Sequence, residues 1–549
     1  MLIGLALAVL GFFQQVESKG GEWKEAFRAT GVGFFEEFGK SLDSCNDLDG
    51  DGVSEIIAGT LQANRNGLFG NGLVQVLSGK DGNLIFEFVG QQQEGRLGVD
   101  VGAADVNGDG LQDIIAGAFR ESPGGNQEGS VYVYSGADGQ IIYRLDGIEA
   151  FESFGERVGG LGDLDLDGCE DFYIQSSKRD TFFPDRGSAI VYSGKDGTIM
   201  YELGGTWSWP GGDGACLNGD IDGDGYQDFA LVSLRLGGAV TVYSGLTGNE
   251  IYFIEGPPPN GSMGGSLDAI GDLNQDGVDE FIAGAPGARE SLHGGMAYVY
   301  SGRTGETLFV LRGEEPYAAF GLSVAGVGDT DGDGYQDFLV SDPILHFGGG
   351  NLTGGVYLFS GLDGKALARI VGDGNELACL GMQVVGIGDS NENGLSDFVA
   401  SSPCGLVPTN NVGTVVAFSF EPFLKPDARE LSASQGGQIT FTLDFSAEEA
   451  GKDYQLLASS TQRGRSGPGN AIPLAQSPIL DRMFSQPPAI FTNATGTLDA
   501  AGDAVATMTL APNQASSAIG LTFRFSAVSW ESPTEVSAAS ATVEVEILP

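Results

Sequence analysis

Short apolar segments with a two-residue alternation recur along most of the chain, and each ends in polar turn residues. Examples are VQVLSGKDG from Val74, VYVYSGADG from Val131 and AYVYSGRTG from Ala297. This alternation predicts β-strands, and the closing Asp-Gly or Thr-Gly predicts a hairpin turn with glycine at positive φ. A further short apolar segment follows, as in LIFEFVG from Leu84. The pattern therefore predicts units built of strands.

An acidic nine-residue motif precedes these strands in every unit. It reads D-x-[DN]-x-[DN]-G-x-x-[DE] and occurs seven times, at intervals of 52 to 60 residues. Repetition at such a period indicates a repeat architecture. The residues at motif positions 1, 3, 5 and 9 are, in chain order, Asp47, Asp49, Asp51 and Glu55; Asp105, Asn107, Asp109 and Asp113; Asp163, Asp165, Asp167 and Asp171; Asp220, Asp222, Asp224 and Asp228; Asp272, Asn274, Asp276 and Glu280; Asp329, Asp331, Asp333 and Asp337; Asp389, Asn391, Asn393 and Asp397.

The spacing of these oxygen-bearing side chains suits calcium, which takes six to eight oxygens at about 2.3–2.6 Å. Side chains 1, 3 and 5 can point inward together, glycine at position 6 permits the sharp turn, and the acid at position 9 closes the shell. An EF-hand closes at position 12 and lies between helices, whereas these motifs precede apolar strand-like segments. We therefore predict up to seven calcium ions, with a metal-free acidic turn as the alternative. Asn391 and Asn393 leave only two carboxylates at the ligand positions of the seventh motif, so its site should be the weakest.

A Phe-Gly pair or a relative precedes most motifs and predicts a strand there. With the strand after the motif, the alternating strand and the final short strand, each unit supplies four strands. Four-stranded units repeated radially predict a β-propeller, with an open solenoid as the alternative. The last unit stops after VVAFSF, which ends at Phe420, and lacks its fourth strand. An unassigned segment, EWKEAFRATG from Glu22 to Gly31, precedes the first unit. We predict that this N-terminal strand completes the seventh blade and closes the ring.

The two ends of the chain differ from the repeats. The apolar run from Leu2 to Phe13 is too short for a membrane span and predicts a signal-peptide core, with an apolar first strand as the alternative. After the proline-containing EPFLKPDARE, alternating segments such as QITFTLDF from Gln438 predict sandwich strands. The predicted organisation is a leader at 1–19, a propeller at 20–420, a linker at 421–430 and a small β-sandwich-like domain at 431–549.

Composition narrows the classes of partner. The chain has 27 basic and 74 acidic residues and a formal net charge of −47. A surface this acidic argues against nucleic acid and anionic membranes as partners. No span-length apolar segment occurs, which predicts that the chain has no membrane span.

The sequence offers little for catalysis. Its two histidines, His293 and His346, lie in different repeats. No paired carboxylates and no nucleophile with a base emerge among the residues predicted to line the central channel, so we predict no enzyme, with a polysaccharide hydrolase or lyase as the rival. These channel residues, two or three positions after the Phe-Gly pair, are Ser41, Asp100, Arg157, Gly214, Ser266, Ser323 and Gln383.

Two further features bear on contacts. The segments TWSWPGGDG and KRDTFFPDRG should lie opposite the acidic motifs, where Trp207, Trp209, Phe182 and Phe183 would form a contact site or pack between blades. Of the five cysteines, Cys379 and Cys404 flank the seventh motif and could form a disulfide.

The succession of Phe-Gly, acidic motif and Gly-Ala-Pro resembles the FG-GAP repeat of the integrin α-subunit propeller. The likeness covers about residues 20–420 and includes Gly284-Ala285-Pro286 in unit 5. Unit 4 lacks the Phe-Gly pair, and units 3, 4, 6 and 7 blur the Gly-Ala-Pro. Integrin propellers have fewer calcium loops, so secreted bacterial FG-GAP proteins are the closer likeness.

This resemblance implies extracellular calcium binding and often adhesion. The predicted protein is all-β, with a seven-bladed FG-GAP propeller followed by a small β-sandwich-like domain. Its predicted function is a secreted or cell-surface calcium-binding scaffold for adhesion or ligand binding, with an extracellular protein or polysaccharide as partner. A lectin-like carbohydrate binder is the alternative within this class.

Overall fold

The fold is taken from a computed structural model of the chain. The described residues are 14–18, 21–33, 36–177, 188–204, 210–217, 219–233, 238–257, 263–288, 294–315, 318–344, 353–374, 377–404, 412–426, 428, 430–445, 449–459, 488–514, 518, 521–532, 535–539 and 543–548. Within these ranges the chain folds into 39 β-strands. No helix in them is long and apolar enough to cross a membrane.

Most of the strands form a series of antiparallel sheets, the blades. The chain begins with β1 (Gln14–Ser18) and β2 (Gly21–Thr30). Blades 1 to 3 follow as β3 (Ser41–Cys45), β4 (Glu55–Thr60), β5 (Leu73–Leu77) and β6 (Leu84–Val89); β7 (Val101–Ala104), β8 (Asp113–Ala118), β9 (Ser130–Tyr134) and β10 (Ile141–Asp146); β11 (Phe154–Gly162), β12 (Asp171–Ser176), β13 (Ser188–Tyr192) and β14 (Ile199–Gly204).

Blades 4 to 7 repeat this arrangement. They contain β15 (Pro210–Leu217), β16 (Asp228–Ser233), β17 (Ala239–Tyr243) and β18 (Glu250–Glu255); β19 (Leu267–Ala269), β20 (Phe281–Ala285), β21 (Met296–Tyr300) and β22 (Thr307–Arg312); β23 (Val324–Gly328), β24 (Asp337–Ser341), β25 (Gly355–Phe359) and β26 (Ala366–Val371); β27 (Val384–Gly388), β28 (Asp397–Ser402) and β29 (Thr414–Pro422).

The blades form a closed ring. The first strand of each blade contacts the first strand of the next, in the order β3, β7, β11, β15, β19, β23 and β27, and β27 contacts β3 again. Seven apolar clusters lie between neighbouring blades, so the core of the ring is divided among its interfaces. The predicted seven-bladed propeller is thereby confirmed.

The N-terminal segment supplies the closure. β2 pairs antiparallel with β29, with Gly21 opposite Pro422 and Thr30 opposite Thr414, and it forms the fourth strand of blade 7. This confirms the predicted pairing. β1 lies inside residues 1–19, the predicted leader, and pairs with β26 as a fifth strand of blade 6.

The remaining strands form two sheets that share a separate core. They are β30 (Leu424–Pro426), β31 (Glu430–Ser432), β32 (Gly437–Asp444), β33 (Asp453–Ser459), β34 (Phe491–Thr492), β35 (Thr495–Thr497), β36 (Asp503–Leu510), β37 (Thr522–Ser532), β38 (Glu535–Ala539) and β39 (Val543–Leu548). One sheet has the order β30-β32-β36-β34, and the other β31-β39-β37-β33-β35 with β38 beside β37. The rings of Phe441 and Phe525, one from each sheet, lie 4.7 Å apart in the shared core. The C-terminal part is thus a β-sandwich, and the segment 421–430, predicted as a linker, contains β30 and the end of β29.

Candidate metal centres

Every acidic motif connects the first and second strands of its blade. The position 9 acid begins the second strand or directly precedes it, as Glu55 does in β4 and Glu280 does before β20. Because the motif has the same place in each blade, the seven loops, named here acidic loops 1 to 7, lie at one end of the ring.

The backbone of these loops turns sharply at two positions. Position 6 is glycine in all seven loops, with φ between 82° and 94°, a region that L side chains rarely adopt. Position 4 also has positive φ, and there the residue is Leu166, Gln275 or Glu392 in three of the loops. Left-handed backbone costs a non-glycine residue about 1 kcal/mol or more, so these three loops are held against a local preference.

Backbone amides orient the acid at position 1. In loop 1, Asp47 Oδ1 accepts hydrogen bonds from Gly50 N at 2.7 Å and Asp51 N at 3.1 Å, and Asp47 Oδ2 accepts one from Gly52 N at 2.8 Å. Asp220 in loop 4 has the same three bonds. The loop thus wraps around a fixed carboxylate.

The acid at position 9 is buried and anchors the loop to the rest of its blade. Glu55 is fully buried and accepts hydrogen bonds from Leu48 N at 3.1 Å and from Gly79 N at 3.2 Å, the latter in the turn after the third strand. Burial raises the pKa of the position 9 acid to about 7 in five loops, namely for Glu55, Asp113, Asp171, Glu280 and Asp397. Burial also raises the pKa values of Asp228 and Asp337.

Four loops bring three carboxylates together, with one oxygen of each within 4.8 Å of the others. The groups are Asp47, Asp49 and Glu55; Asp163, Asp165 and Asp171; Asp220, Asp222 and Asp228; Asp329, Asp331 and Asp333. All four loops have aspartate at position 3, whereas loops 2, 5 and 7 have asparagine there. The position 5 acids Asp51, Asp167 and Asp224 and the position 9 acid Asp337 belong to their loops but not to these triplets.

Asparagine changes the local charge balance in the other loops. Asn107 Nδ2 donates to Asp113 Oδ1 at 3.3 Å, and Asn274 Nδ2 donates to Glu280 Oε1 at 2.7 Å. In loop 7 the side-chain amides of Asn391 and Asn393 both donate to the carbonyl of Phe420. Loop 7 therefore has the fewest carboxylates at its ligand positions and turns its amide groups toward the neighbouring strand.

These donor sets fit a hard divalent cation. They consist of carboxylate and amide oxygens on a preformed turn, the ligands that calcium prefers, and the soft thiolates that favour zinc or copper do not take part in the triplets. Several of the clusters could therefore hold a metal ion.

Neighbouring loops also contact each other through residues that the acidic motif does not predict as ligands. Glu170, at position 8 of loop 3, accepts hydrogen bonds from Asp105 N at 2.9 Å and Gln112 Nε2 at 3.3 Å in loop 2. Gln112, at position 8 of loop 2, in turn bonds to the backbone and side chain of Asn46 beside loop 1. The sequence does contain a signal for these contacts between loops, because position 8 is polar in all seven motifs.

The other predicted site residues divide into two groups. Six of the seven predicted channel residues line a cavity of about 370 Å³ at the centre of the ring, whereas the Ser41 hydroxyl instead donates to Gly98 O at 3.0 Å. In this channel Asp100 forms an ion pair with Arg157 at 3.2 Å. Residues that lie outside the described part of the chain are His293, His346, Trp207, Trp209, Phe182 and Phe183.

The buried position 9 acids predict an unusual pH dependence for the metal-free protein. Their pKa values of about 7 exceed the value near 4 of an unfolded carboxyl, so the folded state binds protons more tightly than the unfolded state. This contribution to stability is fully present below about pH 4 and is lost as the pH rises through about 7. After metal removal on a chelating resin, the melting temperature should therefore be higher at pH 5 than at pH 8. A saturating divalent cation should abolish this trend, and a metal-free melting temperature that rises with pH would contradict it.

Parts of this chain are similar to known proteins. The FG-GAP repeat family matches residues 97–134, which include Leu97-Gly98, acidic loop 2 and β9. Integrin alpha-8 of Gallus gallus is 30% identical over 219 residues, 36% of this chain and 20% of that protein. Integrin alpha-V of Gallus gallus is 30% identical over 210 residues, 35% of this chain and 20% of that protein. For integrin alpha-4 of Xenopus laevis the values are 35% over 161 residues, 27% and 15%.

The chain spans about a fifth, or less, of the length of these relatives. The matches agree with the closed ring of four-stranded blades and with the acidic loop between the first two strands of each blade. Residues 97–134 thus match an FG-GAP repeat, and the chain is similar to integrin α subunits over about a third of its length.

Proposed function

We propose that this protein is a secreted or cell-surface β-propeller that is stabilised by calcium and binds an extracellular protein or polysaccharide. In this proposal the acidic loops hold up to seven calcium ions, through the side chains at positions 1, 3, 5 and 9. The opposite end of the ring binds the ligand. Successive strands of a blade run in opposite directions, so the connections after the first strand and those after the second strand lie at opposite ends of the ring. The two ends can therefore have separate functions.

The observation that carries the binding function is a continuous surface at the end opposite the acidic loops. We call it the loop face; it comprises residues 31–33, 36–38, 61–72, 90–98, 119–129 and 147–153. These connections follow the second or fourth strand of a blade, and they belong to blades 7, 1 and 2. A rigid scaffold that presents loops of this kind is a common basis for recognition.

Hydrogen bonds join the loop face across blade boundaries. The Arg65 guanidinium contacts both Glu36 carboxylate oxygens, at 2.6 and 3.1 Å. Between blades 1 and 2, Ser122 N donates to Gln92 Oε1 at 2.9 Å. Within blades, Glu94 N donates to Phe69 O at 2.8 Å, and Phe151 N donates to Asn126 O at 2.9 Å. The loops are thus fixed relative to one another before any ligand arrives, which lowers the entropic cost of binding.

The same surface exposes large apolar side chains and strained backbone. Phe69 is 64% exposed, Ile148 75% and Phe151 59%. Among the described residues of the propeller outside the acidic loops, most non-glycine residues with positive φ lie here, namely Glu37, Asn66, Glu94, Arg96, Gln127, Phe151 and Ser153. Exposed apolar groups on a pre-ordered surface are typical of a contact site, and such strain persists where surrounding structure enforces it.

We assign no turnover to the central channel, because carboxylates there already have structural partners. Asp100 pairs with Arg157 and accepts a hydrogen bond from Val158 N at 3.0 Å, and Asp268 accepts one from Gly326 N at 2.9 Å. Release of sugar fragments from a bound polysaccharide would support the rival hydrolase or lyase.

The binding proposal is tested by truncating the exposed aromatic residues. An array of glycans and extracellular proteins, probed with the calcium-loaded protein, supplies the ligand. We expect Phe69→Ala and Phe151→Ala each to weaken its binding by about tenfold or more, as truncation of a buried interface aromatic usually does. Surface plasmon resonance measures the change. A glycan as the strongest ligand would favour the lectin-like alternative.

Phe253→Ala is the matched control, since Phe253 is 46% exposed but lies on β18, the outer strand of blade 4. It should leave affinity unchanged. Equal losses for all three variants, or no loss for the two loop-face variants, would show that the ligand binds elsewhere.

A further inference from the structure

Two cysteines of blade 7 meet at the end of the ring that carries the loop face. Cys379 lies in the turn before β27, and Cys404 follows the end of β28 at Ser402. The backbone joins the two segments, because Gly381 N donates to Ser401 O at 2.9 Å and Ser402 Oγ donates to Ala378 O at 2.5 Å. The fold therefore places the two residues side by side although 25 positions separate them.

The two thiols are hydrogen-bond partners. Cys379 is 5% exposed and has a positive φ of 63°, whereas Cys404 is half-buried. A strained backbone conformation at a buried thiol persists only where the surrounding contacts hold it in place. The contact is thus fixed by the fold, and Cys404 is the more exposed of its two residues.

The surroundings make the two thiols chemically unequal. The hydrogen bond from Cys379, aided by the nearby Lys40 ammonium of blade 1, lowers the pKa of the Cys404 thiol. The same hydrogen bond together with burial raises the pKa of the Cys379 thiol. Because the thiolate is the reactive form, Cys404 is suited to react first and Cys379 second.

We propose that Cys379 and Cys404 form a reversible disulfide by exchange with a small-molecule disulfide such as oxidised glutathione. The Cys404 thiolate attacks one sulfur of oxidised glutathione, which forms a mixed disulfide and releases one glutathione thiolate. Cys379 then loses its proton to solvent and attacks the Cys404 sulfur, which releases the second glutathione thiolate. The two cysteines lose two electrons in all, and one oxidised glutathione is reduced to two thiols.

The bond would fasten the turn before β27 to the end of β28, beside the junction of blades 7 and 1. The Lys40 ammonium, which helps to lower the pKa of Cys404, belongs to the segment that leads into β3, the first strand of blade 1. The cysteine pair therefore lies close to this junction. This inference does not depend on calcium or on the loop face binding a ligand.

Mass spectrometry after alkylation tests the proposal on the full chain. The protein is equilibrated with defined ratios of reduced to oxidised glutathione, quenched with acid, unfolded and alkylated. We expect the loss of two hydrogens and of two alkylation sites, which peptide mapping should assign to Cys379 and Cys404, and reversal by excess reduced glutathione. Cys45 and Cys169, both buried, serve as internal controls and should remain alkylated.

Single variants test the order of the two steps. Cys379→Ser should accumulate glutathione on Cys404, whereas Cys404→Ser should leave Cys379 largely unmodified at the same oxidant concentration and time. The proposal is overturned if the wild type keeps both thiols under oxidising ratios, if it stops at a glutathione adduct, or if the two variants are modified equally.

Discussion

Deletion of residues 21–30 should destabilise the propeller far more than deletion of an exposed surface loop of equal length. It removes β2, the fourth strand of blade 7, and leaves a three-stranded sheet at the position where the ring closes. It also removes Trp23, which is 3% exposed and packs against Phe398 at 4.9 Å and Phe420 at 5.2 Å. Phe27 and Ala29 pack into the cluster between blades 7 and 1. One strand thus supplies apolar groups to both interfaces of its blade.

A point variant measures how much one buried residue of β2 contributes to the free energy of unfolding. Trp23→Ala should lower the free energy of unfolding by about 3–5 kcal/mol, the usual cost of truncating a buried tryptophan. Val32→Ala is the control, because Val32 is 84% exposed and lies two residues after β2, and a change of at most about 0.5 kcal/mol is expected there. Denaturant unfolding of both variants is followed by far-ultraviolet circular dichroism, which reports on the backbone and does not need tryptophan as a probe.

Deletion of β1 is the matched control for deletion of β2. β1 adds a fifth strand to the outer edge of blade 6, which remains four-stranded without it. Its removal should leave the melting temperature close to that of the full chain, whereas deletion of β2 should lower the melting temperature and expose blade 7 to limited proteolysis. Equal effects of the two deletions would mean that closure does not depend on β2.

The repeated features of the fold could be predicted because they are encoded locally. The spacing of the acidic motifs sets the blade count, and the missing fourth strand of the last unit pointed to the N-terminal segment, which β2 confirms. The pairing of β1 with blade 6 could not be predicted. Blade 6 already has four strands, so its sequence does not call for a further one, and β1 pairs with the backbone edge of β26, which extended segments of many sequences can match.

The candidate metal sites were likewise predictable only in part. Ligand positions 1, 3, 5 and 9 follow from the chemistry of the side chains. The positive φ at position 4 does not, because Leu166, Gln275 and Glu392 have no intrinsic preference for that region and adopt it only because the loop contacts require it.

The proposed contact surface was also out of reach of sequence reasoning. The sequence favoured the aromatic-rich segments around Trp207 and Phe182, which are outside the described residues. Phe69 and Phe151 are isolated aromatics without a motif. Only the hydrogen bonds that join their loops, within blades 1 and 2 and between these two blades, make them parts of one surface.

Under the proposal that the acidic loops bind calcium, removal of the ions should have the second large effect on stability. A ligand that binds only the folded state at a concentration of 100 Kd stabilises it by about 2.7 kcal/mol per site. Extracellular calcium modules often have Kd values of about 10⁻⁴–10⁻³ M, so chelation empties them readily. With several sites, the sum is comparable to the roughly 5–15 kcal/mol stability of a typical protein. We therefore expect a calcium chelator to lower the melting temperature strongly at pH 7.5, and added calcium to restore it.

The difference in melting temperature with and without calcium isolates the contribution of each loop, because effects on the metal-free protein cancel. Asp220→Asn removes a carboxylate from a loop that brings three together, so it should reduce this difference and the number of bound ions. Asp389→Asn in loop 7 should reduce the difference less, since that loop has only two acids among its ligand positions. Glu250→Gln, an equal charge change at an exposed strand residue, should leave it unchanged. A melting temperature that ignores the chelator would refute the calcium assignment, and equal effects of Asp220→Asn and Glu250→Gln would refute loop 4 as a site.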